Sequence, residues 1–237
     1  MVVEVTIIPA ESDDEAAVRL ALDYPYERHP HAFWFEDGAA GEARSVDEAR
    51  RGRVPVLAFG SNAAPLQLSR KFANRPCTDR LYVEPAALHG WDVIYAARIT
   101  SYGAIPARMT EAEACVARTH ITWLAPDQLA WMDETEGNWY RRARLPSGRV
   151  VDASGATIDP AEAYVGGGDA LLVDGQPAAL AAVITTGRRL RAHSTADLHG
   201  RLAVAARFAG TVEAFALRLV RDRGFAEEMK ALLRAGL

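Results

Sequence analysis

Gly60, Ser61 and Asn62 have the residue types and the position to bind an anion. They follow the apolar residues 54–59, which are typical of a buried strand. Small, turn-prone residues at a strand end allow a sharp turn, and such a turn leaves backbone N–H groups without strand partners. These groups can hold a carboxylate or stabilise an oxyanion. The alternative is a plain strand-ending turn that is capped by Asn62.

A second group with chemical potential is the sequence Asp-Glu-Thr-Glu at residues 133–136. Pro126 suits the first turn of a helix, and Gly137 is a stop signal. The predicted helix therefore ends in three carboxylates, where the helix dipole disfavours negative charge. For this segment alone, a solvated acidic turn is the simplest interpretation.

The elements that must position these groups fall into three ranges of the chain. Residues 1–53 are interpreted as an N-terminal extension that packs on the core. Residues 54–151 alternate strands with one short helix, and residues 152–237 begin in strands and loops and end in helices. We expect the last range to belong to the same globular unit as the middle one.

Local patterns give more specific expectations within these ranges. A strand is predicted at residues 2–8 and a helix at residues 12–22. Apolar and polar side chains alternate over residues 114–124, which favours a half-buried strand. The glycines in residues 164–168 predict a flexible hinge, because they lack the pattern of a phosphate-binding loop. Ser194 is the expected cap of a C-terminal helix.

Composition narrows the class of ligand. With 237 residues, 49% hydrophobic and 24% charged, the chain can bury the core of one large domain or of a domain with additions. The formal net charge of -4 gives no concentrated excess of Lys and Arg for binding nucleic acid or a membrane surface. We therefore expect a small-molecule ligand.

The same patterns give expectations for location and for metal binding. No stretch approaches the ~20 apolar residues that span a bilayer, and the first residues are acidic, so a cytoplasmic location is expected. Cys77 and Cys115 have neither CxxC spacing nor nearby ligand partners. We therefore expect no disulfide framework and no metal site.

Several segments of the middle range, taken in order, resemble the gamma-glutamylcyclotransferase-like (AIG2-like) family. The most specific pair is Phe-Gly-Ser-Asn at residues 59–62 and the later Asp-Glu-Thr-Glu-Gly at residues 133–137, with strands between them. The resemblance covers residues 54–151. The matching segments are residues 57–62, 87–95, 103–107, 121–124, 128–129, 132–137 and Tyr140.

This resemblance implies a fold and a reaction. The fold is α+β, a small mixed β-barrel with an added N-terminal segment and C-terminal helices. In the reaction, the α-amine of a γ-glutamyl amide attacks its own γ-carbonyl, releasing an amine and forming 5-oxoproline without metal or nucleotide. The implied catalytic residue is Glu136. The implied substrate-binding residues are Phe59, Gly60, Ser61, Asn62 and Tyr140.

The implied roles agree with elementary chemistry. The nucleophile is tethered within the substrate, so the enzyme has to fold the glutamyl chain and move protons. One carboxylate, Glu136, could accept a proton from the attacking nitrogen and deliver one to the departing amine. Backbone N–H groups of residues 60–62 could stabilise the developing oxyanion or hold the glutamyl carboxylate.

Two departures and two alternatives remain open at this stage. Phe59 replaces the commoner Tyr and offers no hydroxyl, and the flanking ranges could cover the pocket, form a homodimer interface or shape the site of the leaving amine. Three arginines just beyond Tyr140, namely Arg141, Arg142 and Arg144, could meet an acidic group of the substrate. The same pocket could instead serve an amide hydrolase or acyl transferase, or a non-catalytic small-molecule-binding or interaction module.

Overall fold

A computed structural model describes residues 12–43, 46–73, 80–166 and 168–237 of the chain. The strand predicted at residues 2–8 and Cys77 lie outside these described residues. Within them, Cys115 is buried and carries a free thiol.

Seven α-helices are found in the described residues. Ser12 caps the first, since its side chain accepts a hydrogen bond from the Glu15 N–H and Glu15 reaches back to the Ser12 N–H. Ser194 caps the fifth in a similar way, by accepting from the Asp197 N–H. The predicted helix at 12–22 and the Ser194 cap are confirmed. The helices are α1 Asp13–Leu22, α2 Val46–Arg50, α3 Pro65–Phe72, α4 Pro126–Glu136, α5 Thr195–Ala205, α6 Val212–Arg221 and α7 Arg223–Ala235, with a short 3-10 turn at Ser61–Ala63.

The helices are short. Even α7, with 13 residues, is far below the length of a bilayer span. Among the described residues, no helix combines the length and the apolar character needed to cross a membrane.

Thirteen strands are found in the described residues, and eleven of them form one sheet. The strands are β1 Phe33–Glu36, β2 Ala39–Glu42, β3 Val54–Ala58, β4 Leu81–Tyr95, β5 Ala107–Leu124, β6 Tyr140–Arg144, β7 Val150–Asp152, β8 Glu162–Gly166, β9 Leu172–Val173, β10 Gln176–Pro177, β11 Ala179–Leu180, β12 Thr185–Thr186 and β13 Ala192–His193.

The long antiparallel pair β4 and β5 is the frame of this sheet. The pairing has a bulge beside Gly90, whose φ of 77° lies in the region that glycine favours. β5 extends the strand that was predicted at residues 114–124. On its other edge β5 pairs antiparallel with β3, which confirms the buried strand that precedes Gly60. The Gly-Ser-Asn turn is therefore anchored to the centre of the sheet.

β8 lies between β3 and β6, and β6 is the edge strand at this end of the sheet. It runs parallel to β3 and antiparallel to β6. The hinge predicted at residues 164–168 is therefore wrong for residues 164–166, because Ala163 and Tyr164 are buried in this strand. Gly167 lies outside the described residues. The glycine content misled the prediction, although the apolar residues before Gly166 are typical of a strand.

The α+β class is as predicted, but no closed barrel is found among the described residues. The strand order is β13-β11-β4-β5-β3-β8-β6, and the strands at its two ends do not pair with each other. Closure requires continuous pairing around the sheet, and β13 contributes only two residues, in parallel with β11. The sheet is therefore open and mostly antiparallel.

The larger hydrophobic core includes residues from all three ranges of the chain. The N-terminal range contributes Tyr24, and the C-terminal helices contribute a cluster of edge-to-face aromatic rings. The ring centroid of Phe215 lies 5.3 Å from that of Phe208 and 5.4 Å from that of Phe225. These contacts hold α6 and α7 together, and both helices reach the site described next.

Candidate functional site

Glu136 is the last residue of α4, and two features fix its position. Gly137 ends the helix with a φ of 59°, in the left-handed region that glycine favours. On the neighbouring helix α3, the carbonyl oxygen of Lys71 accepts a hydrogen bond of 2.6 Å from Nε1 of Trp131. The end of α4 is thereby held against α3.

Glu136 meets two donors from other elements. Nδ2 of Asn62 donates to its Oε1 over 2.8 Å, and Nζ of Lys71 lies 2.5 Å from the same oxygen. The side chains of Glu136 and Lys71 are only 11% and 10% exposed. The interpretation of a solvated acidic turn is therefore wrong for Glu136.

The other two carboxylates of this turn have different surroundings. Asp133 accepts hydrogen bonds from Nε of Arg142 and from the Tyr164 hydroxyl, at 2.8 Å and 2.7 Å. Burial alone would raise the pKa of Asp133, but these bonds outweigh it, so that its pKa lies below the ordinary value. Glu134 is exposed. Only Glu136 of the three lines the cavity described below.

The arginines of β6 serve the scaffold instead of the cavity. Arg142 pairs with both Asp133 and Glu162, and Arg144 lies 3.5 Å from Asp159. Arg141 is exposed, and none of the three arginines lines the cavity. The expectation that they meet an acidic substrate group finds no support in this arrangement.

A cavity of about 900 Å³ lies between the end of β3, the end of α4 and the C-terminal helices. All six residues that the sequence resemblance implied line this cavity, although they come from three separate segments of the chain. They are Phe59, Gly60, Ser61, Asn62, Glu136 and Tyr140. The volume is in the range of small-molecule sites.

Gly60 lies at a close approach between the turn and the N-terminal range. A Cβ atom at Gly60 would lie 2.5 Å from the hydroxyl oxygen of Tyr24. That oxygen accepts a hydrogen bond of 2.9 Å from the Ala107 N–H. The N-terminal range thus places a buried hydroxyl directly beside the Gly-Ser-Asn turn.

The tyrosines of the cavity are neutral polar groups. The Tyr140 hydroxyl donates to the carbonyl oxygen of Ala107 over 2.9 Å. Burial raises the pKa of Tyr140 and of Tyr24 far above the ordinary value, and burial also raises that of Tyr102. Near neutral pH these side chains can therefore donate or accept hydrogen bonds but carry no charge.

The sequence analysis missed all five basic residues of the cavity lining, and two of them lie next to predicted site residues. Lys71 lies on α3, a helix that was not predicted, although Pro65 at its first position and the spacing of Leu68 and Phe72 are typical helix signals. Arg98 follows β4 and belongs to no motif. Its guanidinium carbon lies 4.2 Å from the centroid of the Trp139 ring. No local pattern could have identified Arg98.

The part of the chain that the structure describes contains no group of three or more His, Cys, Asp or Glu side chains that could hold a metal ion. The polar groups of the cavity lining are hydroxyls, the side-chain amides of Asn62 and Gln67, two carboxylates and basic side chains.

Comparisons with known proteins found two similar solved structures, both from Arabidopsis thaliana. No family model matches the chain, and no curated protein matches it. The solution structure of At5g39720.1 is 17% identical, with a TM-score of 0.37, over 48% of this chain and 69% of its own. The solution structure of At3g28950.1 is 18% identical, with a TM-score of 0.38, over 77% of this chain and 90% of its own.

Proposed function

We propose that the protein is a gamma-glutamylcyclotransferase-like enzyme that converts a γ-glutamyl amide into 5-oxoproline and a free amine. The observation that carries the proposal is the contact of Asn62 and Lys71 with Glu136 inside a cavity that Gly60 and Ser61 also line. The order of the motifs along the chain is its second support. The proposal includes a small γ-glutamyl-type substrate as the ligand.

In the proposed reaction the substrate supplies its own nucleophile. The α-amine nitrogen attacks the γ-carbonyl carbon, a C–N bond of the five-membered ring forms, and the bond to the leaving amine breaks. Glu136 accepts the proton that the attacking nitrogen loses and delivers a proton to the leaving nitrogen. No further reactant is required.

The surroundings of Glu136 fit the first of these steps. Nζ of Lys71 lies 2.5 Å from Oε1 of Glu136 and holds the carboxylate at the wall of the cavity. The hydrogen bond from Asn62 fixes the orientation of the same carboxylate. The tetrahedral oxyanion would be stabilised by backbone N–H groups of Gly60 and Ser61, which line the same space.

The cavity lining would favour folding of the glutamyl chain. Phe59, Tyr140 and Tyr24 line the cavity, so a bound substrate would pack against aromatic side chains. Such packing would hold the compact conformer in which the α-amine reaches the γ-carbonyl. The role of Phe59 in this proposal is packing, since it has no hydroxyl.

The test is incubation with a panel of γ-glutamyl amines and dipeptides, followed by mass-spectrometric detection of 5-oxoproline. Glu136→Gln keeps the size of the side chain and removes the proton acceptor, so turnover should fall by about 100-fold or more. Glu134→Gln is the matched control, because Glu134 is an exposed carboxylate on the same helix. This control should retain the turnover of the unchanged protein.

Product identity separates the reaction classes. Detection of free glutamate without 5-oxoproline would exclude cyclisation and would indicate amide hydrolysis at the same site. Binding of a γ-glutamyl compound without any product would favour a non-catalytic binding module. Full turnover in Glu136→Gln would refute the assignment of Glu136.

A further inference from the structure

Arg98 has two buried guanidinium nitrogens without a hydrogen-bond partner among the described residues, whereas Arg28 and Arg108 have one each and donate to backbone carbonyl groups. Arg188 binds Asp92 with both Nε and Nη2, and Arg50 binds Glu84 and Asp152. Arg98 makes no ion pair with any described residue. Its Nε and Nη1 atoms are buried and have no hydrogen-bond partner in the protein.

The guanidinium group of Arg98 lies at the cavity wall, where its unpaired N–H groups can bind a ligand. It lines the cavity together with Trp139 and Tyr140, and its guanidinium carbon lies 4.2 Å and 5.7 Å from the two ring centroids. Stacking on the rings fixes the plane of the group but satisfies none of its N–H donors. Unsatisfied buried N–H groups are costly, so a ligand acceptor at this point would stabilise the site.

The charge of the cavity lining determines the class of that acceptor. The basic side chains that line the cavity are Lys71, Arg98, Arg223, Lys230 and Arg234. Its two acidic side chains are already paired, Glu136 with Lys71 and Glu227 with Lys230. The remaining positive charge, in a chain whose formal net charge is -4, selects an anionic ligand.

We propose that Arg98 is the anion-binding residue of this cavity and takes the α-carboxylate of the γ-glutamyl substrate. The choice of the α-carboxylate rests on the proposed function, whereas the anion site itself does not. A planar guanidinium fits a carboxylate, with which it can form charge-assisted hydrogen bonds. When Arg98 binds the α-carboxylate, the backbone N–H groups of residues 60–62 are left to stabilise the oxyanion alone. The sequence had left open whether this turn binds the oxyanion or the carboxylate.

The test compares two ligands that differ only in charge. 5-Oxoproline carries the carboxylate and 5-oxoprolinamide carries a neutral amide in its place; both affinities are measured by isothermal titration calorimetry. Arg98→Met keeps the stem that packs on Trp139 and removes the donors. It should weaken 5-oxoproline binding by about 10- to 100-fold and leave 5-oxoprolinamide binding unchanged. Arg141→Met is the matched control, because Arg141 is exposed and lies outside the cavity.

Equal weakening of both ligands in Arg98→Met would overturn the proposal, since it would show that Arg98 only supports the cavity wall. Unchanged binding of 5-oxoproline would overturn it as well. If Arg98→Met fails to fold, a measurement on the unchanged protein tests the proposal instead. Bound 5-oxoproline should protect Arg98 from modification by phenylglyoxal, as mapped by peptide mass spectrometry. Lack of protection would contradict the anion site.

Glutarate separates this proposal from the reaction. It is a dicarboxylate that cannot cyclise, and its binding should also fall about 10-fold or more in Arg98→Met. If glutarate binding depends on Arg98 while no γ-glutamyl compound yields 5-oxoproline, the anion site stands and the proposed reaction is wrong. If the unchanged protein binds neither glutarate nor 5-oxoproline, the anion site is wrong.

Discussion

The side-chain amide of Asn62 donates a hydrogen bond of 2.8 Å to Oε1 of Glu136, although 74 positions separate the two residues. A carboxylate only accepts, so the nitrogen of the amide has to face it. This bond joins a strand-ending turn to the last residue of a helix. Lys71 approaches the same oxygen from a third element, and the result is one carboxylate held by two donors at the wall of a cavity.

Lys71→Met tests whether the ion pair positions the Glu136 carboxylate for the reaction. The substitution removes one of the two donors that hold Oε1, since Nζ of Lys71 lies 2.5 Å from it, so kcat should fall by about 10-fold or more. Lys71→Arg keeps a cationic donor at this position and should retain more of the turnover. The measurement is kcat and KM with a γ-glutamyl substrate that the protein turns over. An unchanged kcat in Lys71→Met would assign the ion pair a structural role only.

Gly60→Ala should destabilise the protein by about 1–3 kcal/mol, because the new Cβ atom would lie 2.5 Å from the hydroxyl oxygen of buried Tyr24. That hydroxyl is held by the Ala107 N–H and cannot move aside freely. The measurement is the free energy of unfolding in urea.

Tyr24→Phe supplies the control for this prediction. It removes the clashing oxygen and leaves Cζ at 3.6 Å from the new Cβ atom, which is an ordinary contact. The double variant should therefore lose less stability than the sum of the two single variants. Additive losses would show that the close approach does not explain the glycine.

The parts of this site that the sequence predicted are those with local signals. Pro126 and Gly137 mark the two ends of α4, and the apolar residues before Gly60 mark β3, so Glu136 and the turn were placed correctly on their elements. Lys71, Arg98 and Tyr24 could not be placed, because their position depends on contacts between elements that are distant in the chain. The hydrogen bond from Trp131 that seats α3 against α4 is one such contact.

The open sheet could not be predicted from the sequence for the same kind of reason. Alternation of side chains predicts each strand separately, but the order of strands depends on which edges pair. Here β3 takes the late strand β8 as its second neighbour, and β6 follows at the edge. Nothing in the local pattern of residues 162–166 specifies that partner, and the glycines that follow the strand pointed to a loop.

Asp152 is predicted to make the stability of the scaffold sensitive to acid. Burial alone would raise its pKa, but hydrogen bonds from Ser154, Arg50 and the Ala156 N–H lower it to about 2. The pKa in the folded protein thus lies below the unfolded value of about 3.9. The stabilising contribution is therefore complete above about pH 5 and is lost as the pH falls toward 2, on the order of 2 kcal/mol in total.

Asp152→Asn removes the titrating group and serves as the comparison for that prediction. The difference in free energy of unfolding between the protein and this variant should be largest above about pH 5, where the carboxylate is ionised in both the folded and the unfolded state. It should shrink steadily between about pH 5 and pH 2, as protonation of the unfolded chain comes to oppose folding. Urea unfolding at several pH values in this window gives the difference directly. If the difference stays constant from pH 5 to pH 2, the ion pair with Arg50 and the bonds from Ser154 do not hold the carboxylate in its charged form.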